Sequence, residues 1–234
     1  MRITRLLPCA ALVAASAFCA PRASAVDLYQ IDTFEDGTTQ GWIVGLLGAA
    51  HPAPPANVPG GGPAGADDNY MLLTALGGGG AGSKLSVLNL THWGGDYLAA
   101  GIPGIAIDLN NMGADDLYLR LLISDPTIGP PANAAFSLDP IVLPAGSGWV
   151  RALFPVDPLH LGAAAGTVEA ALTGATELRL YHGVAPGYPG GSVVASLGVD
   201  NIQAVPEPSA LCLFSAGVLA AGLPALRRRA RSAR

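Results

Sequence analysis

The sequence predicts an all-β fold, an antiparallel two-sheet sandwich of jelly-roll type, set between two terminal segments that lie outside it. Glycine (31) and proline (20) supply about a fifth of the 234 residues, while Asp, Glu, Lys and Arg supply 12%. Gly and Pro are unfavourable inside helices and useful in turns, so this balance selects short strands and many reversals. Between Val26 and Ala204, short apolar or alternating runs recur with Gly, Pro, Asn or Asp between them. Half of all residues are apolar, enough to fill one core of ordinary domain size.

The chain opens with Arg2 and Arg5, an apolar stretch from about Leu6 to Ala20, and Ala23-Ser24-Ala25. A basic start, a short apolar run and a small-x-small ending are the layout of a secretory signal peptide, here residues 1–25, with cleavage after Ala25. The secretion translocon and signal peptidase are the partners this implies. Cys9 and Cys19 fall in this segment and Cys212 near the other end. The body, residues 26–204, has no cysteine, so no disulfide, zinc cluster or thiol nucleophile can be built there.

Within the body the candidate strands are Leu28–Phe34, Trp42–Leu47, Tyr70–Leu76, Lys84–Leu90, Gly104–Leu109, Leu117–Ile123, Trp149–Phe154, Leu178–His182 and Leu197–Ile202. Alternation in "LYLRLLIS" and "TELRLYHG" puts Arg120 and Arg179 on the face opposite their apolar neighbours, as in half-buried strands. Trp42 and Trp149 open apolar strands and are expected in the interior. "FEDGTTQG", "ALGGGGAGSK", "LNNMGADD", "SDPTIGPPAN" and "PAGSG" supply the turns. The single helical stretch is Thr167–Leu172. Two Pro- and Gly-rich loops, 51–69 and 185–192, are expected to lack fixed structure, and Tyr188 lies in the second.

After the body, Ser209–Leu226 gives 18 residues without a charge, followed by Arg227, Arg228, Arg229, Arg231 and Arg234. That length suffices for one transmembrane helix, and arginines held on the cytoplasmic side stop transfer. Val205-Pro206-Glu207-Pro208, a short apolar span and a terminal Arg cluster, in that order, resemble the PEP-CTERM sorting tail of Gram-negative bacteria. The resemblance covers residues 205–234. It implies recognition by exosortase, a membrane-embedded cysteine protease-transpeptidase, with the Pro-Glu-Pro triplet marking the processing site. It also implies export across the inner membrane, a transient membrane anchor, a final place at the cell surface or outside it, and company with exopolysaccharide and biofilm production. Pro206 and Pro208 keep helix from propagating upstream and hold the segment extended.

A second resemblance is softer. "DTFEDGTTQGW" and "LGVDNIQAV" are similar to the first and last strands of carbohydrate-binding-module and galactose-binding-like jelly rolls. In those folds the terminal strands are neighbours and a structural calcium often joins them. By that likeness Glu35 and Asp200 would be calcium ligands, with Asp36 or Asp32 nearby and backbone oxygens completing the shell. The other reading is that "EDG" is a polar turn and Asp200 caps a strand end.

Composition excludes several functions. The body holds four cations, Lys84, Arg120, Arg151 and Arg179, against sixteen carboxylates, a net charge of −12. Such a body repels phosphate backbones, which argues against nucleic acid and fits divalent cations or neutral sugars. His51, His92, His160 and His182 are widely separated, and there is no Gly-x-Ser-x-Gly or His-Glu-x-x-His. Asp67-Asp68 and Asp115-Asp116 are adjacent pairs, which suit turns rather than two carboxyls facing across a cleft. No catalytic residues are assigned, and the chain is not read as an enzyme.

Binding is the remaining chemistry. "THWGGDY" puts Trp93 and Tyr97 beside His92 and Asp96 in a polar stretch. Aromatic faces pack on pyranose rings while polar neighbours bond the hydroxyls, so these four are the candidate ligand residues, with an exposed loop or core as the plainer reading. The expected function is a non-catalytic module of the cell surface or matrix, associated with extracellular polysaccharide. A secreted carbohydrate-active hydrolase on the same scaffold, or a structural or adhesive protein with no defined ligand, are the alternatives.

Overall fold

The computed structural model describes residues 25–45, 51–78, 83–125 and 130–206. Nearly all of the signal segment, together with Glu207, Pro208, the apolar span 209–226 and Arg227, Arg228, Arg229 and Arg231, lies outside them. Among the described residues no helix is long and apolar enough to cross a membrane.

The strands are β1 (Ile31–Asp32), β2 (Trp42–Ile43), β3 (Ala56–Val58), β4 (Tyr70–Leu76), β5 (Ser86–Asn89), β6 (Gly104–Asn111) and β7 (Leu117–Asp125). They continue with β8 (Asn133–Ser137), β9 (Ile141–Leu143), β10 (Trp149–Pro155), β11 (Leu161–Ala165), β12 (Glu177–His182) and β13 (Val194–Val205). One sheet runs β10-β6-β13-β4-β3, with β1 pairing β13. The other runs β11-β8-β7-β12-β5-β2, with β9 pairing β7. Every pairing is antiparallel.

Alternation builds the core between the sheets. Met71, Leu73, Ile105, Ile107, Leu109, Leu197 and Val199 face inward from the first sheet, and Leu119, Leu121, Ile123, Leu178 and Leu180 from the second. All are almost fully buried. Each such side chain stabilises the fold by about 1.5–3 kcal/mol relative to exposure. The predicted two-sheet antiparallel sandwich is therefore the observed architecture.

Each predicted strand overlaps an observed one, and Tyr70–Leu76 has the expected bounds. Four strands went unpredicted. β8 ("NAAFS") and β11 ("LGAAA") are Ala-rich, with little intrinsic strand preference; their neighbours in the sheet decide their state. β9 is a three-residue edge, and β3 lies in the Pro- and Gly-rich stretch.

That stretch, 51–69, corrects the expectation of no fixed structure. β3 pairs with β4, and Asn57 donates from Nδ2 to the carbonyls of Phe34 and Thr38 at 2.7 and 2.9 Å. Trp149 Nε1 donates to Gly61 O at 3.0 Å. Gly60 (φ 84°) approaches Ala66 O so closely that a Cβ would sit 2.2 Å from it. The glycines here permit close backbone contact rather than looseness.

The helix forms as expected, one residue displaced: α1 covers Val168–Thr173. Thr167 is its N-cap and accepts from Ala170 N at 3.1 Å, which satisfies one of the orphan donors of the first turn. Ala171 and Leu172 are buried against the sandwich.

Candidate functional site

The stretch that seemed to offer a sugar platform is instead a core device. Trp93 and Tyr97 are each 0% exposed, so neither ring has a face to offer a ligand. Trp93 Nε1 and Trp42 Nε1 both donate to Asp32 Oδ2 at 2.7 Å, while His92 Nε2 meets Oδ1 at 2.8 Å. Asp32, almost fully buried, thus ties β1 to β2 through Trp42 and to the loop after β5 through His92 and Trp93. Tyr97 donates to Trp93 O at 2.8 Å, and burial pushes its phenol far above the ordinary range. Asp96 accepts from Ala99 N at 2.8 Å as a turn cap. The apolar rings favour burial, and Asp32 supplies the acceptor that each buried indole N–H then needs.

The acidic candidates divide. Asp36 is exposed, and its Oδ1 accepts from Thr38 N and Oγ1 at 2.9 and 2.8 Å; these bonds hold its carboxyl below the usual value. Its local bonds to Thr38 are those of a polar turn. Glu35 accepts from Asn69 N through Oε1 at 2.9 Å. Asp200 is completely buried and accepts from Asn201 N and Nδ2 at 2.7 and 3.0 Å. Desolvation, reinforced by the charges of Asp68, Asp108 and Glu35, pushes its carboxyl up to about 7. Asp108 stands directly across the ladder from it and pairs with Arg151 at 3.2 Å. Among the described residues no three His, Cys, Asp or Glu side chains form a group that could hold a metal ion.

The more capable surface is the outer face of the second sheet. Glu177, Arg179 and Tyr181 project outward from β12, and Arg120 and Leu122 stand beside them on β7 in register. Phe136 on β8 pairs with Leu122. Leu122, Ala134 and Tyr181, with Phe136 and Ala165 against them, form a small apolar cluster separate from the main core. Arg179 Nε donates to Glu177 Oε1 at 2.5 Å, and the guanidinium lies 5.0 Å from the centre of the Tyr188 ring. Tyr181 meets that ring edge-on at 5.5 Å and donates to Gly187 O at 3.1 Å. Burial pushes the Tyr181 phenol up to about 12. Tyr188 itself is 42% exposed. The result is an aromatic ring braced from the strand and backed by a cation, with less than half of the residue open to solvent.

Arg120 gives this face its rim. Its guanidinium is buried and donates to four backbone carbonyls, those of Gly183, Ser137, Leu138 and Val184. It therefore clamps the loop after β12 to the end of β8. Trp149, expected inside, stands on the outer face of the first sheet, edge-on to Tyr70 at 5.3 Å and over Gly198. A groove of about 400 Å³ opens at one end of the sandwich, lined by Tyr97, Leu98, Ile102, Pro103, Val156 and Asp157 together with Pro206.

No protein-family model matches the sequence, and no curated protein matches it either. Solved structures do resemble the fold. A domain of an exo-β-agarase superposes with a TM-score of 0.53 at 13% identity over 78% of this chain, which corresponds to 25% of that enzyme. The family 11 carbohydrate-binding module from Clostridium thermocellum, solved with a β-1,3-1,4-mixed-linked tetrasaccharide, gives 0.49 at 15% identity over 78% of this chain and 98% of that one. The family 11 carbohydrate-binding module of the cellulosomal cellulase Lic26A-Cel5E of Clostridium thermocellum gives 0.46 at 11% identity over 77% of this chain and 96% of that one. The likeness to the agarase domain establishes a shared fold and nothing about ligands.

Proposed function

We propose that the body is a non-catalytic carbohydrate-binding module whose binding face is the outer surface of the second sheet. The observation that carries this reading is the half-exposed Tyr188 ring braced by Tyr181 and Arg179, with the Glu177 carboxylate beside them. A pyranose can stack on the open part of such a ring, while the buried Glu177 holds Arg179 against the ring from behind. The ligand chemistry follows from charge. Arg120 is spent on carbonyls, Arg151 pairs with Asp108 and Arg179 with Glu177, which leaves Lys84 as the remaining cation of a body at −12. A uronate or sulfate would meet repulsion and no free guanidinium, so the ligand is an uncharged glycan.

The setting we propose is the one its termini imply: export by way of a signal peptide, membrane anchoring by residues 209–226, and sorting by an exosortase that delivers the body to the surface beside exopolysaccharide. A structural calcium near Asp200 and Glu35 belongs to the same proposal, and unchanged melting with EDTA removes it. A glycan array probed with the purified body tests the main reading. Binding to neutral polysaccharides is expected; binding to none leaves a structural or adhesive protein, and product release from a bound glycan makes it a hydrolase.

A further inference from the structure

The arm that carries Tyr188 leaves β12 after His182 and enters β13 at Val194. Its Gly- and Pro-rich sequence predicts a loop without fixed structure, but both limbs and the tip are pinned. On the outgoing limb, Arg120 donates to Gly183 O through Nε at 2.8 Å and to Val184 O through Nη2 at 3.1 Å. Nη1 anchors the same guanidinium to Ser137 O on β8 at 2.7 Å. At the tip, the Tyr181 hydroxyl donates to Gly187 O at 3.1 Å, one residue before Tyr188. On the returning limb, Gly190 (φ 72°) lies so close to the root of the arm that a Cβ there would collide with His182 O. Ser192 Oγ is within 3.0 Å of Ser83 O, and Val193 N donates to the same carbonyl at 3.1 Å. The glycines of this arm let it lie flat against its own strand.

We propose that Arg120, Tyr181 and Gly190 are positioning residues that set the Tyr188 ring in its binding place before any glycan arrives. Tyr181 acts through its hydroxyl and Gly190 through its missing side chain, and none of the three has to touch the sugar. This rests on the outer face of the second sheet being the glycan site. A platform that orders only on contact loses part of its binding free energy to that ordering, and a preset one does not. When only a fraction of molecules hold the arm in place, the apparent dissociation constant rises by the inverse of that fraction. The loss then falls on the association rate, because only molecules with the arm in place capture the ligand. Once bound, the arm sits where it does in the wild type and the dissociation rate is unchanged. Removing a contact to the sugar itself acts instead on the dissociation rate.

The test is the binding kinetics of the detergent-solubilised full chain on immobilised β-glucan, galactan and mannan, three neutral polysaccharides run in parallel. Tyr181→Phe keeps the ring against Tyr188 and removes only the hydroxyl. It should raise the dissociation constant about three- to tenfold, the scale of one lost hydrogen bond, with the change in the association rate and the melting midpoint little altered. Gly190→Ala displaces the returning limb and should act in the same direction and more strongly. Should that variant fail to fold, Tyr181→Phe carries the test alone. Wild-type kinetics in Tyr181→Phe, alongside lost binding in Tyr188→Ala, overturn the positioning role and leave the glycan site standing. A loss that falls on the dissociation rate overturns it as well. A wild type that binds none of the three surfaces, or full binding by Tyr188→Ala, overturns the glycan site and the positioning role with it.

Discussion

At the scale of single residues, Asp32 and Asp200 show how a buried carboxylate takes its meaning from its neighbours. Asp32 receives two indole N–H groups and His92, so Asp32→Ala leaves two buried donors without an acceptor. Each such orphan costs about 1–3 kcal/mol, and a loss of about 3–5 kcal/mol in chemical unfolding is expected. Asp200 is the opposite case, a carboxyl held toward its protonated form by burial and nearby negative charge. Its folded pKa exceeds the ordinary carboxylate value, so its stabilising contribution is complete below that ordinary value and disappears as pH rises through about 7. In EDTA, stability should fall between about pH 4 and 8 by up to about 4 kcal/mol. Asp200→Asn should flatten that slope in denaturant titrations at each pH. Little of this was legible in the sequence. "THWGGDY" reads as an exposed polar stretch because its short side chains dominate, and the acceptor that draws Trp93 inward is 61 residues away. The turn at "EDG" was legible because the bonds of Asp36 to Thr38 are local.

At the scale of elements, periodicity was the legible signal wherever side chains alternate sharply. "LYLRLLIS" and "TELRLYHG" put Arg120 and Arg179 on one face, and the observed register sets β7 and β12 side by side with both arginines outward. What alternation could not show is that the outer face is itself partly covered. Arg120 ends buried because the loop after β12 and the end of β8 close over it. Arg120→Ala strips four carbonyls of their donor and should cost about 3 kcal/mol or more, with Arg120→Lys recovering only part of it. Thermal melting of the two variants checks this. The helix cap is a smaller matter of the same kind: Thr167→Ala should cost about 1 kcal/mol. β8 and β11 were illegible because alanine states no preference, and a strand of alanines is made by its neighbours.

At the scale of the whole molecule, the sandwich brings its two terminal strands together. β1 pairs with β13, so the ends of the body lie at neighbouring strands and the tail departs beside the groove around Pro206. The composition that predicted the sandwich, rich in turn formers and poor in charge, also limits what the faces can bind. With its arginines neutralised or spent on carbonyls, the body we propose as a glycan-binding module has no free guanidinium for a charged partner. Binding should change little between low and moderate salt, because no long-range attraction between charges contributes to it. The most direct measurement of the central claim is affinity electrophoresis or calorimetry of the body with neutral and uronate polysaccharides, comparing the wild type with Tyr188→Ala. The account predicts binding to a neutral glycan that falls at least about tenfold in Tyr188→Ala, the usual scale for losing one stacked ring, with the melting temperature little changed. Binding that survives the loss of Tyr188, or that favours the uronate, would contradict it.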